Sequence, residues 1–320
     1  MDRFKSILVA ASPGHLEPMT FRAAVKLAEV NDAHLTVLAV MPPVPRLRKK
    51  VVVEGRMVDV EAALQRDREE GLRHLAENTR AKPETDIVVR VGEPFLEVIR
   101  HVLVHGNDLV MVGGRAVHKA EVPVPDSGVM HLLRKCPVPV WMMRPSLDRT
   151  LRILALVDPD PEDPVRNSLN DLVLELATSL TRRENGELHV GHAWGLTGEA
   201  TLRSSPYVGL PGEIVDVMVE TVETAHREQL DRLIEQHDVL ELGGSVHMVA
   251  GEAAKVLPRL AEELDIGLIV MGTVARTGLS GLIVGNTAET ILGSVRCSVL
   301  AVKPQGFVTP VKPAPSAKTR

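Results

Sequence analysis

Residues 271–291, MGTVARTGLSGLIVGNTAETI, hold the pattern in this 320-residue chain that comes nearest to chemistry. The stretch leaves a strand-like run and ends in a segment of helical character starting at Asn286 or Thr287. Gly272 and Gly285 would let the backbone approach a ligand closely. Free amides at the helix start, with Asn286 and Thr287, would then hold phosphate oxygens. Arg276 would add positive charge. The same residues also suit a plain turn in which Asn286 or Thr287 caps the helix, and both readings stay open on pattern alone.

Other candidates carry less. No GxxxxGK[ST] occurs, so the lysine and magnesium-binding hydroxyl of the common phosphate loop are missing. His101 and His105 stand one helical turn apart, but no third ligand is spaced to join them on a metal, so a surface or cleft role is expected. Ser12 and Ser127 lack the GxSxG context and the histidine–acid partner of a nucleophile. Glu93 and Glu252 fall where an acid answers a helix dipole, which makes them caps or local structural acids. Cys136 and Cys297, the two cysteines, belong to no CxxC and are expected to be buried, reduced thiols with no tightly bound metal.

Composition narrows the partners. A net charge of −5 with two Trp, one Tyr and four Phe gives neither a basic field nor a stacking surface, so no direct nucleic-acid contact is expected. No apolar run reaches the roughly 18 residues of a membrane helix, and the first residues lack the apolar core of a secretion signal. The expectation is a cytoplasmic protein away from membranes.

The chain repeats itself. GEPFLEVIRHVLVHGNDLVMVG at 92–113 matches GEAAKVLPRLAEELDIGLIVMG at 251–272, ILVAAS at 7–12 resembles ILALVD at 153–158, and KCPVPVWMMRP at 135–145 resembles RCSVLAVKP at 296–304. Each copy is domain-sized, so two modules are expected over 1–147 and 148–306, followed by a disordered tail at 307–320. Val-, Ile- and Leu-rich runs alternating with helical periodicity predict parallel strands joined by helices. Strands are predicted near 6–11, 34–40, 86–91, 108–113 and 138–143, with helices near 17–31, 57–80, 93–105 and 127–135. The second copy predicts strands near 152–157, 187–193, 245–250, 267–272 and 298–303, with helices near 164–182, 212–237, 252–264 and 286–296. Proline-bearing segments at 42–56 and 195–211 occupy matching places as candidate lids. RLRKK at 46–50 reads as solvated surface, with an anionic contact as the alternative.

The spacing Gly, two residues, Gly, nine residues, Gly, then Ser, Thr or Asn is the nucleotide-loop motif of universal stress proteins. Gly272, Ala275, Gly285 and Asn286 stand at its four positions, and the tandem chain resembles that family over nearly its whole length. The resemblance implies two Rossmann-like α/β domains of the adenine nucleotide alpha hydrolase type, each a five-stranded parallel sheet flanked by helices, with the last strands pairing between halves. It implies that Asp158 serves the base or ribose, that Ala193 contributes backbone, and that Met271, Gly272, Arg276, Gly285, Asn286 and Thr287 hold phosphates. Ala275 departs from the pattern and would hinder close phosphate approach.

The first copy departs further. Ser12 replaces the strand-one acid, and Gly113 is followed by Ala116, Asp126 and Ser127, so a carboxylate would oppose phosphate at the helix start. The expected function is a regulatory, non-enzymatic stress-response role with ATP or ADP bound in the second domain, Mg2+ possible alongside, and an internal pseudo-dimer that permits a homodimer. The alternative is an interaction module that binds no nucleotide and holds an apolar metabolite in the first domain, near Val122 to Pro125. Slow hydrolysis is a third reading.

Overall fold

The computed structural model describes residues 3–11, 16–53, 56–79, 85–114, 127–144, 151–160, 162–273 and 285–313. Runs of aliphatic residues shielded on both faces make the strands. In β1 (Ser6–Ala11), five of six residues are buried, and each large aliphatic side chain so placed contributes about 1.5–3 kcal/mol. Helix α1 (Pro18–Asn31) starts at Pro18, where a missing N–H costs nothing, and the Glu17 carboxylate accepts the Thr20 N–H at 2.6 Å. It stops at Asp32, which turns left-handed at φ 47°. In the second half Asp163 caps the start of α6 and Asn185 ends it at φ 49°, so the repeat extends to the way its first helix begins and ends.

Domain 1 continues through β2 (His34–Met41), α2 (Arg46–Lys49), β3 (Lys50–Val53), β4 (Arg56–Asp59), α3 (Val60–Asn78), β5 (Thr85–Val91), α4 (Pro94–His105), β6 (Leu109–Gly113), α5 (Ser127–Lys135) and β7 (Val140–Met143). Domain 2 comprises β8 (Arg152–Leu156), α6 (Pro164–Glu184), β9 (Glu187–Trp194), α7 (Glu199–Ser204), α8 (Gly212–Glu235), β10 (Ser245–Ala250), α9 (Ala253–Glu263), β11 (Leu268–Gly272), α10 (Asn286–Ser294) and β12 (Ser298–Val302).

The strands join in one ten-stranded sheet, ordered β10-β9-β8-β11-β12-β7-β6-β1-β2-β5. Pairing is parallel within each half and antiparallel where the halves meet, with Leu300 opposite Trp141 and Val299 opposite Met142. The contact expected between segments 138–143 and 298–303 is therefore present. Two apolar layers cover the sheet, and each runs through both domains. One lies under α1, α3, α6 and α8, the other under α4, α5, α9 and α10.

The segments read as lids hold elements that the sequence reading did not place, among them the short helices α2 and α7 and the strand β3. The helix expected from residue 57 begins at Val60, because Lys50–Val53 and Arg56–Asp59 pair as an antiparallel hairpin that runs from the segment read as a lid into the start of the expected helix. Val51, Val52 and Val58 favour extended backbone, and Asp59 ends the hairpin by accepting the Ala62 N–H to start α3. The basic run lies in α2 and β3, and Lys49 is paired with Glu61 at 2.7 Å. Within the expected disordered tail, Phe307 places its ring 5.3 Å from Lys303 Nζ, and Val311 packs on the second layer. The boundary expected between the two modules at 147 and 148 and residues 314–320 lie outside the described residues.

Candidate functional site

The order β9-β8-β11 puts the carboxyl ends of three strands side by side, and the connection reverses direction between β8 and β11. An open parallel sheet forms its ligand crevice at such a place. Asp158, Ala193, Met271 and Gly272 all lie at or just beyond these ends.

Asp158 is the second residue beyond β8. Val157 still pairs with β9, its N–H reaching Gly191 O at 3.1 Å, and the Asp158 N–H then donates to Asn170 Oδ1 at 3.0 Å. Two turns of α6 hold this connection, since Asn167 accepts the Asp160 N–H at 3.1 Å and donates to the Asp160 carbonyl at 2.6 Å. Arg166 sits among the acids, 2.8 Å from Asp160 Oδ2 and 3.6 Å from both Asp158 Oδ2 and Asp163 Oδ2. The Asp158 side chain is 40% exposed, so its carboxylate is presented to solvent on a fixed backbone. Asn170 is buried, and among the described residues its Nδ2 has no hydrogen-bond partner.

Ala193 pairs with Val249 of β10 and is partly buried on the second core layer. Beside it the wholly buried His192 contacts Val157 O at 3.1 Å through Nδ1 and His226 Nδ1 at 2.8 Å through Nε2. A carbonyl only accepts, so His192 carries a proton on Nδ1, and in the neutral tautomer its Nε2 accepts from His226. This pair ties β8, β9 and α8 together below the site.

Met271 is buried in β11. A Cβ on Gly272 would come within 2.5 Å of Leu169 Cδ2 on α6, and one on Gly113 within 2.9 Å of Glu17 Cβ. Both glycines thus make room for the first helix of their domain. Thr273, almost wholly buried, donates its N–H to Val302 O at 3.2 Å and accepts the Gly285 N–H at 3.2 Å. The chain therefore leaves β11 and re-enters α10 at one point. Gly285 has φ −62°, a value open to any residue, and makes no side-chain cap. Asn286 and Thr287 are exposed at the first turn of α10, whose dipole favours an anion.

Arg276 and Ala275 lie outside the described residues, as do Ser12, Ala116, Asp126 and Val122 to Pro125. Of the domain 1 set, Gly113 closes β6 and Ser127 opens α5.

The remaining candidates resolve into packing. Burial pushes the thiols of Cys136 and Cys297 up to about 12, which keeps them protonated. His101 was expected at a surface or in a cleft. It is instead buried, stacked on His105 at 4.1 Å, and pushed down to about 4 by burial, then by His105 and Arg90. Glu93 and Glu252 stand at helix N-cap positions but accept no capping bond, and Glu252 pairs with Lys255 at 2.7 Å. Among the described residues no group of three or more His, Cys, Asp or Glu could hold a metal ion, and no helix is long and apolar enough to cross a membrane.

Sequence reasoning missed Asn170, Arg166, His192 and Lys303. The last was visible as one of two cations, Arg144 and Lys303, that precede proline at matching places in the two copies.

Comparison with known proteins covers the whole arrangement. A model of the "Universal stress protein family" matches residues 3–144 and again 152–303. "Universal stress protein E" of Escherichia coli (strain K12) is 31% identical over 227 residues, which is 70% of each chain. The "Universal stress protein E homolog" of Haemophilus influenzae is 25% identical over 321 residues, spanning 94% of this chain and 98% of that one. A solved "Putative Universal Stress Protein" from Pseudomonas aeruginosa UCBPP-PA14 superposes with a TM-score of 0.68 at 27% identity, covering 95% of this chain and 94% of its own.

Proposed function

Because the chain belongs to the universal stress protein family, with both halves matched, we propose that it is a stress-response protein that binds ATP or ADP in domain 2 and acts by binding rather than turnover. The observation that carries the reading is the convergence of Asp158, Ala193, Met271 and Gly272 on neighbouring strand ends, with the uncapped start of α10 hydrogen-bonded to the end of β11 through Gly285 and Thr273. Asp158 accepts from ribose hydroxyls or the base, the Ala193 backbone borders the base, and the amides and side chains of Asn286 and Thr287, with Arg276, hold the phosphates. Mg2+ bound along with the nucleotide would offset part of the phosphate charge at this end of the site. Domain 1 lacks the strand-one acid at Ser12 and does not share this role. The site is taken to act in the cytoplasm.

Calorimetric titration of ATP and ADP, with and without Mg2+, tests this on the wild type, Asp158→Ala and Gly285→Asp. One nucleotide per chain, weakened about tenfold or more in both variants, supports the reading. A wild type indifferent to both nucleotides overturns it. Loss of turnover in Asp158→Ala at saturating ATP would instead reveal a hydrolase.

One observation favours a second reading, an interaction module with no nucleotide. Leu169 alone accounts for the glycine at 272, so that part of the motif persists without a ligand. In this reading domain 1 takes an apolar metabolite.

A further inference from the structure

Helix α10, whose first turn is the proposed phosphate end, is held by domain 1 at three points. At its C-terminal end, Arg144 crosses from the end of β7 and donates through Nη1 to the carbonyl of Val295. Along its side, Arg134 of α5 pairs with Glu289 at 2.8 Å. At its start the connection is indirect but continuous. Lys303 follows β12, donates to the carbonyl of Leu133 in the last turn of α5 at 2.6 Å, and donates also to Thr273 Oγ1. The Thr273 carbonyl in turn accepts the N–H of Gly285, the residue that begins α10.

Lys303 is only 7% exposed, and among the described residues it has no carboxylate within ion-pair distance. Its charge is answered by the negative end of the α5 dipole and by the face of Phe307. A buried ammonium with so few compensations is costly to keep, so its two hydrogen bonds fix it firmly in place. Arg144 makes the corresponding reach in the opposite direction, to α10. At the place of Thr273, however, domain 1 has Gly114, which offers no hydroxyl and whose added Cβ would lie 2.9 Å from Met143 O. The two halves are therefore built alike but tied unequally. Among the described residues, the root of the domain 2 site alone is joined, through Lys303, to the other domain.

We propose that domain 1 serves as the scaffold that sets the ligand-binding end of domain 2, with Lys303 as the positioning residue that carries the hold through Thr273 to the start of α10. For ligand affinity this rests on the reading of domain 2 as the nucleotide-binding half. For the mechanical link it does not. Holding α10 in place before a ligand arrives removes an ordering cost from binding, which is how a residue that touches no ligand governs affinity.

Hydrogen-exchange mass spectrometry on the ligand-free, full-length protein separates the two. In Lys303→Met, whose side chain is apolar and of similar length, exchange is expected to rise both in the last turn of α5 and across residues 285–290. In Thr273→Val it rises across 285–290 while α5 stays protected, and Thr273→Ser restores wild-type protection. If Lys303→Met alters α5 alone, or if Thr273→Val changes nothing, the link is overturned whatever the nucleotide does. ATP titration of the same variants then reads the consequence. Lys303→Met and Thr273→Val are expected to weaken ATP about tenfold, with Thr273→Ser close to wild type. Unchanged affinity in the face of increased exchange would overturn the positioning role. A wild type that binds no ATP would refute the nucleotide reading while the exchange result still decides the scaffold.

Discussion

Lys303, at the end of domain 2, donates to the carbonyl of Leu133, the residue two before the last position of a domain 1 helix, at 2.6 Å. A cation from one half thus closes a helix of the other. Burial pushes its amine down to about 8, with Cys136 opposing that shift. The folded value lies below the unfolded one near 10.5, so the unfolded chain binds the proton more tightly. The resulting penalty is fully present below pH 8 and is relieved as pH rises from about 8 to 10.5, by on the order of 3 kcal/mol. Urea melts at pH 7.5 and pH 10 are expected to show this gain in the wild type relative to Lys303→Met. Parallel pH dependence in the two proteins would contradict it.

His101 gives the acid limb. Its folded value near 4 lies below the ordinary 6.5, and the groups around it are His105 on its own helix with Arg90 and Asp86 on β5. Stability is therefore expected to be intact above pH 6.5 and to fall as pH drops from 6.5 toward 4. His189 and His247, both lowered chiefly by burial, add to the loss with the same sign. Thermal melts of His101→Phe between pH 7 and 4.5 should show a shallower decline than the wild type.

Gly272 separates packing from ligand contact. Its replacement by alanine drives a methyl group into Leu169 and is expected to destabilise the ligand-free protein by about 1–3 kcal/mol, measurable by chemical denaturation. An unchanged midpoint would mean that Leu169 moves aside freely, and the glycine would then need another explanation.

At the seam, Leu300 is wholly buried opposite Trp141. Leu300→Ala is expected to cost about 2–5 kcal/mol and to lower the stability of both halves together, because the apolar layer on its side of the sheet passes through both. Tryptophan fluorescence, with Trp141 in domain 1 and Trp194 in domain 2, follows the two halves separately when each is replaced in turn by phenylalanine. Two well-separated transitions in Leu300→Ala would show that the halves unfold independently.

Much of this architecture was legible in the residues. Period, repeat and capping placed the ten sheet strands and the main helices within a few positions, because buried parallel strands leave long aliphatic runs and their helices begin at Pro18, Pro94 and Pro164. The hairpin was not read. Its four-residue strands are too short to show a period, and the polar residues Arg56 and Asp59 suit the helix that follows equally well. At the site, the identities of Asp158, Gly272 and Asn286 were visible, but what supports them was not. Asn170 and Lys303 act from 12 and 30 residues away in sequence from Asp158 and Thr273, and only the packing of α6 on the sheet and the parallel pairing of β11 with β12 bring them together.

The antiparallel pairing of β7 with β12 bears on how the two halves came to differ. Separate subunits meeting along such a strand would associate only as their concentration allowed, and a symmetric pair would carry every substitution twice. Joined in one polypeptide, the halves meet at an effective concentration set by the few residues between them, whatever the abundance of the protein. Each side is then at liberty to change alone. Gly114 at the place of Thr273, and Arg144 at the place of Lys303, are what that liberty leaves behind, and in the reading proposed above one half keeps the features of a receptor while the other becomes its frame.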